Sequence, residues 1–463
     1  MNLLIVLGAL AFLMLVAYRG YSVILFAPVA ALGAVLLTDP ALVAPMFSSV
    51  FMEKMVGFVK SYFPVFMLGA VFGKVIELSG FSKSIVAAVI HLLGRDRAVL
   101  SIVAVCAILT YGGVSLFVVV FAVYPFAAEM FRQSGIPKRL IPCTIALGAF
   151  SFTMDALPGT PQIQNIIPTT FFKTTTWAAP WMGLIGSVFV LGVGLAYIES
   201  RRRAAAVRGE GYAHGVALQN EPEPFEHEKL PSPWIALSPL VVVGVANLVL
   251  TKLVPYAYGA EHTIRLGAKP IVTPIPVVAA IWGVEGALLL GIATVFVFAW
   301  RSVLPKFADG SKAAVAGALL ASLNTASEYG FGGVIALLPG FTLISDLLRS
   351  IPNPLINEAV TVTVLAGITG SASGGMSIAL AAMSDTFIAA AEAAKIPLEV
   401  LHRIASMASG GMDTLPHNGA VITLLAVTGL THKQAYKDIF AITLIKSAAV
   451  FFVIAVYYVT GIY

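Results

Sequence analysis

Long apolar runs alternate with short polar breaks along the whole chain, with no sustained amphipathic surface pattern. A bilayer crossing needs roughly 20 consecutive apolar residues in a helix. Runs of that kind predict spans at Asn2–Tyr18, Tyr21–Leu37, Ser61–Ser79 and Trp177–Glu199. The second half predicts spans at Trp234–Val254, Ile271–Trp300, Ala313–Leu347 and Ile439–Tyr458. Two further runs, Ala98–Phe131 and Leu355–Ala391, are long enough for two short passes each. Their centres are Gly-rich, TYGGVS (Thr110–Ser115) and TGSASGGMS (Thr369–Ser377). Another two, Leu140–Thr175 and Leu398–Leu430, are interrupted by FTMDALPGTPQIQN (Phe152–Asn165) and GGMDTLPHNGAVIT (Gly410–Thr423). Pro158 and Pro416 remove a helix hydrogen bond and clash with the preceding turn, so both runs read as broken helices.

The polar segment Ser200–Pro231 divides the chain, and its flanks read as repeats of each other. GKVIELSGF (Gly73–Phe81) matches GGVIALLPGF (Gly332–Phe341), and GGVS (Gly112–Ser115) matches GGMS (Gly374–Ser377). Ile136-Pro137 matches Ile396-Pro397, and Met154-Asp155 matches Met412-Asp413. The matches keep their order and nearly one offset, which argues for an internal duplication. Residues 1–199 form one repeat, with a hairpin at about 98–131 and a broken helix at about 140–175. Residues 232–463 form the other, with a hairpin at about 355–391 and a broken helix at about 398–430. Residues 200–231 form a cytoplasmic linker.

Lys and Arg mark the cytoplasmic side. Lys83, Arg95 and Arg97 precede the first hairpin, and Arg132, Lys138 and Arg139 follow it. A run with both ends inside enters the membrane and returns. Placing Arg201–Arg203, Arg301, Lys306, Lys312, Lys433 and Lys437 inside makes the second hairpin enter from the outside. The repeats then have inverted topology, both termini are extracytoplasmic, and Lys395 and Arg403 fall outside. The expected fold is an all-α polytopic membrane protein with two inverted-topology repeats, each holding a re-entrant hairpin and a broken helix.

Composition agrees. Of 463 residues, 59% are hydrophobic and 11% charged, against roughly 25% charged in soluble domains. The net charge of +5 follows from basic cytoplasmic loops and calls for no nucleic acid. Cys106 and Cys143 lie in apolar runs and read as small buried hydrophobes. The first 20 residues have no basic leader region and read as a span rather than a removed signal. No P-loop and no His/Cys metal cluster is present, so no cofactor is expected.

Irregular backbone at membrane depth is tolerated only inside protein or around a cavity. Each break frees a half-helix N-terminus, near Gly159–Gln162 and His417–Gly419, which suits an anion. Thr160, Gln162, Asn165, Thr414, His417 and Asn418 are therefore candidate substrate ligands. Gly112, Gly113 and Ser115 of the first hairpin centre join them, as do Ser371, Ser373, Gly374, Gly375 and Ser377 of the second. Asn324 and Glu328, in LNTASEYG, lack a counterpart in the first half. They read as asymmetric substrate contacts or as interhelical hydrogen bonds. A carboxylate at the bilayer centre costs about 2.5–3.5 kcal/mol, so Asp155 and Asp413 need a purpose. Either they take up a coupling cation or they cap the half-helices that follow. His417 either titrates or hydrogen-bonds Asp413 or substrate. Lys446 snorkels or faces a partner helix. No arginine falls at an expected core position.

TMDALPGTPQIQN, TASEYGFGGVI, TGSASGGMSIAL and GGMDTLPHNGAVIT resemble the gluconate permease (GntP) family of the ion transporter superfamily, over essentially the whole chain. The resemblance implies a bacterial inner-membrane secondary transporter of small hydroxy-carboxylates, elevator-type and homodimeric. It differs from sodium-coupled dicarboxylate relatives, whose hairpin tips carry Ser-Asn-Thr. That difference, with Asp155, Asp413 and His417, favours protons as the coupling ion. The apolar first tip favours a short hydroxy-monocarboxylate such as 3-hydroxybutyrate over gluconate or another sugar acid. An intramembrane aspartyl protease also needs two membrane aspartates, but Gly410-Gly411-Met412-Asp413 misses the Gly-x-Gly-Asp spacing of such enzymes.

Overall fold

The computed structural model describes residues 2–19, 21–94, 97–114, 116–216, 218, 220–221, 230–265, 270–341, 351–416 and 418–463. It is helical almost throughout. Helix α1 (Asn2–Tyr18) matches the predicted first span, and α2 (Val23–Thr38) pairs with it. The third span is longer than predicted: α3 runs from Pro40 to Leu78, through a π-helical turn at Phe47–Phe51. Gly80, at φ +75°, turns the chain into α4 (Phe81–Leu93), a helix outside the predicted spans.

The first Gly-rich run folds as α5 (Ala98–Tyr111) and α6 (Leu116–Gln133), packed together. The second folds as α13 (Pro354–Thr369) and α14 (Ala372–Ala393). Helix α14 is not a short pass. Its 22 residues extend about 33 Å at 1.5 Å per residue, enough to cross a bilayer.

Both predicted breaks are present. In the first, α7 (Ile141–Ala149) and the single turn α8 (Phe152–Asp155) precede an irregular stretch, and α9 (Ile163–Phe172) follows it. In the second, α15 (Leu398–Gly411) is separated from α16 (Gly419–Thr428). Helices α10 (Pro180–Val207), α11 (Pro233–Tyr258) and α17 (His432–Thr460) are long and apolar enough to cross the membrane.

Two predicted spans form one element, α12 (Ile275–Ala336). Sixty-two residues of straight helix would reach about 93 Å, roughly three times the hydrocarbon thickness. The backbone instead leaves helical geometry at Ala299, and Phe296 meets Phe307 with ring centroids 5.0 Å apart. Eleven residues along one straight helix would separate those rings by about 16 Å, so the chain bends back there. The departure from an all-helical fold, among the described residues, is an exposed antiparallel hairpin, β1 (Glu261–Ile264) with β2 (Ile271–Pro274).

The polar segment is not a free linker throughout. Its first residues continue α10 to Val207, and the stretch beyond is strapped onto the helices. Arg139 pairs with Glu210 at 2.8 Å and Asp438 at 3.0 Å, and Arg201 pairs with Asp438 at 2.7 Å. The buried Lys138 ammonium meets Glu221 at 2.7 Å. Tyr124 donates to the Asn220 carbonyl, and Asn220 donates to that of Ala426. Hydrogen bonds from Arg139 and Arg208 hold the Glu210 carboxyl at about 2, below its ordinary 4.5. A depressed folded-state value stabilises the strap above pH 4.5, and that contribution is lost as pH falls through 2. Hydrogen-exchange protection of residues 209–216 is therefore expected to hold at neutral pH and to fall within that window; constant protection from pH 5 to pH 2 would contradict it.

Candidate functional site

The breaks are built by prolines; the first is closed by side chains from the other half of the chain, the second by α17 of its own half. At the first, Pro158 and Pro161 cannot donate helix bonds, and Gly159 adopts φ +77°. The freed carbonyls find donors on α15. Fully buried Arg403 donates to Asp155 O at 2.9 Å, to Ala178 O at 2.7 and 3.3 Å, and to Asn165 Oδ1 at 3.0 Å. Ser406 adds a bond to Asp155 O at 2.8 Å. Asn165 Nδ2 donates to Thr160 O and Thr176 O, which fixes its Oδ1 as the acceptor for Arg403 and for His402 Nε2. His402 Nδ1 then accepts from the Thr174 hydroxyl at 2.6 Å. The expectation that Arg403 lies outside and that no arginine reaches the core is corrected: a planar fork of donors meets a cluster of helix-break carbonyls, which is how a buried guanidinium is kept solvated.

At the second break, Asp413 is ion-paired with Lys446 of α17, and the same ammonium donates to Phe150 O at 3.0 Å. Lys446 does not snorkel. It is buried and ties both breaks together. Asp155 lies within electrostatic range of Lys446, Asp413 and Arg403, so two carboxylates and two cations share one buried centre. Asp155 fits there because residue 410 is glycine. A Cβ at Gly410 would land on the Asp155 carboxylate, whereas a Cβ at Gly419 would meet open space. Gly410→Ala is expected to lower stability by about 1–3 kcal/mol through overpacking, and Gly419→Ala to leave it unchanged. Equal melting temperatures for the two variants would contradict this placement.

The aspartates do not cap the following half-helices. Residue Gln162 occupies that position in α9 and Asn418 in α16, where Asn418 Oδ1 accepts from Ala420 N at 2.7 Å. Asp155 and Asp413 instead lie on the upstream side of each break. The same two amides make a matched connection. Gln162 Nε2 donates to Thr110 O at the first hairpin tip at 2.7 Å, and Asn418 Nδ2 to Gly370 O at the second at 2.6 Å.

The remaining predicted residues divide into two groups. Thr160 donates to Thr153 O, and Thr414 shares a hydrogen bond with Thr443, so both hydroxyls are engaged inside the protein. Gly113, at φ +93°, packs against Pro161, and Gly112 against Leu240. Around the second tip, Ser371 caps Gly374 N, Ser373 meets Thr325 at 3.2 Å, and the Glu328 carboxylate rests on Gly374 beside Ser371. Gly375 packs on the α13 backbone, and the buried Ser377 hydroxyl has no partner among the described residues. Asn324 is half-buried on α12. Ser115 and His417 lie outside the described residues. Reading the sequence missed Arg403, His402 and the Asn247 amide of α11, which donates to Gly159 O at 2.9 Å. The available signal was Arg403 itself, a basic residue that fitted the charge pattern only as an exception.

No protein-family model matches the sequence. The chain is 59% identical over 473 aligned residues to a Bacillus subtilis (strain 168) protein, "Uncharacterized transporter YxjC", with all of both chains covered. Its fold is similar to the crystal structure of the Alcanivorax borkumensis YdaH transporter, at a TM-score of 0.51 and 15% identity, covering 92% of this chain and 90% of that one. That likeness is one of fold, and it agrees with the all-α, polytopic architecture described above.

Proposed function

The chain belongs to the same transporter family as YxjC of Bacillus subtilis, and from that premise we propose that it is a proton-coupled symporter of a small hydroxy-monocarboxylate, such as 3-hydroxybutyrate, in the bacterial inner membrane. The observation that carries the reading is the crossed centre. Asp413 of one break is ion-paired with the buried Lys446 ammonium, and Asp155 of the other break lies within electrostatic range of both. Membrane carboxylates so placed are the groups that take up and release a coupling proton. The carboxylate of the substrate is received by backbone N–H groups and hydroxyls at the hairpin tips, around Gly112–Gly113 and Ser371–Ser377, and by the half-helix N-termini behind Gln162 and Asn418. Arg403 takes no part, because its donors are committed to Asp155 O, Ala178 O and Asn165 Oδ1.

The matched connections from Gln162 and Asn418 support the repeat reading of residues 1–199 and 232–463; the inverted, GntP-like elevator arrangement and a homodimer follow from the resemblance. Uptake of labelled 3-hydroxybutyrate and gluconate into proteoliposomes, side by side under an imposed proton gradient, tests the substrate class. Preference for the shorter acid is expected. Preference for gluconate would move the reading to sugar acids.

A further inference from the structure

We propose that Lys446 is a resident cation: its ammonium fills a monovalent-cation site assembled by the two helix breaks, and shortening the side chain opens that site to a free cation. The inference rests on reading the crossed breaks as the coupling centre. Its ligands are a carboxylate oxygen of Asp413 and the carbonyl oxygen of Phe150, where α7 stops. Helix C-terminal carbonyls carry partial negative charge, and unwound carbonyls and half-helix C-terminal ends coordinate sodium in membrane transporters; here a carboxylate stands beside such a carbonyl. Here that set holds a charge that cannot diffuse away, on a stem 3% exposed.

Charge balance points the same way. The charged groups facing one another across α8, α15 and α17 are Asp155, Asp413, Arg403 and Lys446. With both carboxylates ionised they sum to zero. Removing the lysine leaves one buried negative charge, and a buried charge without a partner is strongly destabilising. A small hard cation, or a short alkylammonium replacing the lost side chain, restores neutrality in the space vacated. The lysine thereby excludes sodium from this position, which is what a carrier driven by protons alone requires.

Thermal unfolding of the purified full-length protein, with choline chloride exchanged for sodium, lithium or propylammonium chloride at constant ionic strength, tests the inference. The wild type is expected to melt at one temperature in all four salts. Lys446→Ala is expected to melt lower in choline and to rise by several degrees, saturably, with sodium, lithium or propylammonium, as one-site binding requires. Lys446→Met, which keeps the volume without the charge, is expected to show no such rise. An Ala variant that responds to none of the three cations would overturn the inference. Should that variant not fold, the wild type still decides: a saturable rise in sodium that Asp413→Asn abolishes would mean that sodium already binds there. The readout involves neither substrate nor flux, so failure of the symport reading in vesicles and failure of this inference give different results.

Discussion

Replacing Asp413 with asparagine is expected to abolish uphill uptake while leaving the protein in the membrane. The substitution keeps the shape of the side chain and removes its charge and its exchangeable proton. Lys446 retains the Phe150 carbonyl and the nearby Asp155 carboxylate, so the centre keeps one counter-charge. A one-to-one proton symporter under a gradient of one pH unit accumulates substrate about tenfold, because that unit is worth about 1.36 kcal/mol. In Asp413→Asn the ratio is expected to fall to one, with exchange of labelled for unlabelled substrate retained. Asp155→Asn is expected to behave alike, because it belongs to the same buried centre. Wild-type accumulation ratios in both variants would remove the aspartates from coupling.

The largest loss of stability is expected at Arg403. Replacing it with methionine keeps the bulk and withdraws donors from Asp155 O, Ala178 O and Asn165 Oδ1, all in the protein interior. Ser406 still donates to Asp155 O and His402 to Asn165 Oδ1, so the cost comes from the lost charge-assisted bonds, about 1.5–3 kcal/mol each, and a total of several kcal/mol is expected. Lysine at this position is expected to rescue little, since a point charge cannot serve acceptors spread across a planar fork. The exposed Lys395 provides the comparison: Lys395→Met is expected to leave the melting temperature unchanged. Near-normal stability of Arg403→Met in detergent would show that the first break holds its shape without this hub.

The spans and breaks were legible because their causes are local. Hydrophobic length marked α1 to the residue, and Pro158, Pro416 and the paired Met-Asp motifs located both interruptions. The first hairpin tip followed from its Gly-Gly pair; the second falls at Gly370–Ser371, a few residues before Gly374–Gly375, which lie in the first turn of α14. What stayed hidden depends on contacts between distant parts of the chain. Arg403 and Ser406 reach residues between 225 and 251 positions away, and no periodicity carries such a pairing. Charge counting placed Arg403 outside because the positive-inside rule treats arginine as a loop marker. It has no means of recognising a guanidinium solvated by carbonyls. The capping alternative for the aspartates stayed open for a related reason. Both an aspartate and an amide stood near each half-helix start, and only geometry shows that Gln162 and Asn418 hold that position. The predicted end of a span at Trp300 lies one residue from the kink at Ala299; what stayed hidden is that the chain continues as helix beyond it, reversing through Phe296–Phe307 packing without a loop composition.

The most direct measurement is proton movement itself. Purified protein is reconstituted into vesicles holding a pH-sensitive dye, in sodium-free buffer with no imposed gradient, and 3-hydroxybutyrate is added outside. Coupled symport predicts acidification of the lumen that depends on substrate and is absent in Asp413→Asn. Substrate entry that leaves the luminal pH unchanged, or that starts only when sodium is supplied, would contradict the assignment of Asp155 and Asp413 as the proton-coupling pair.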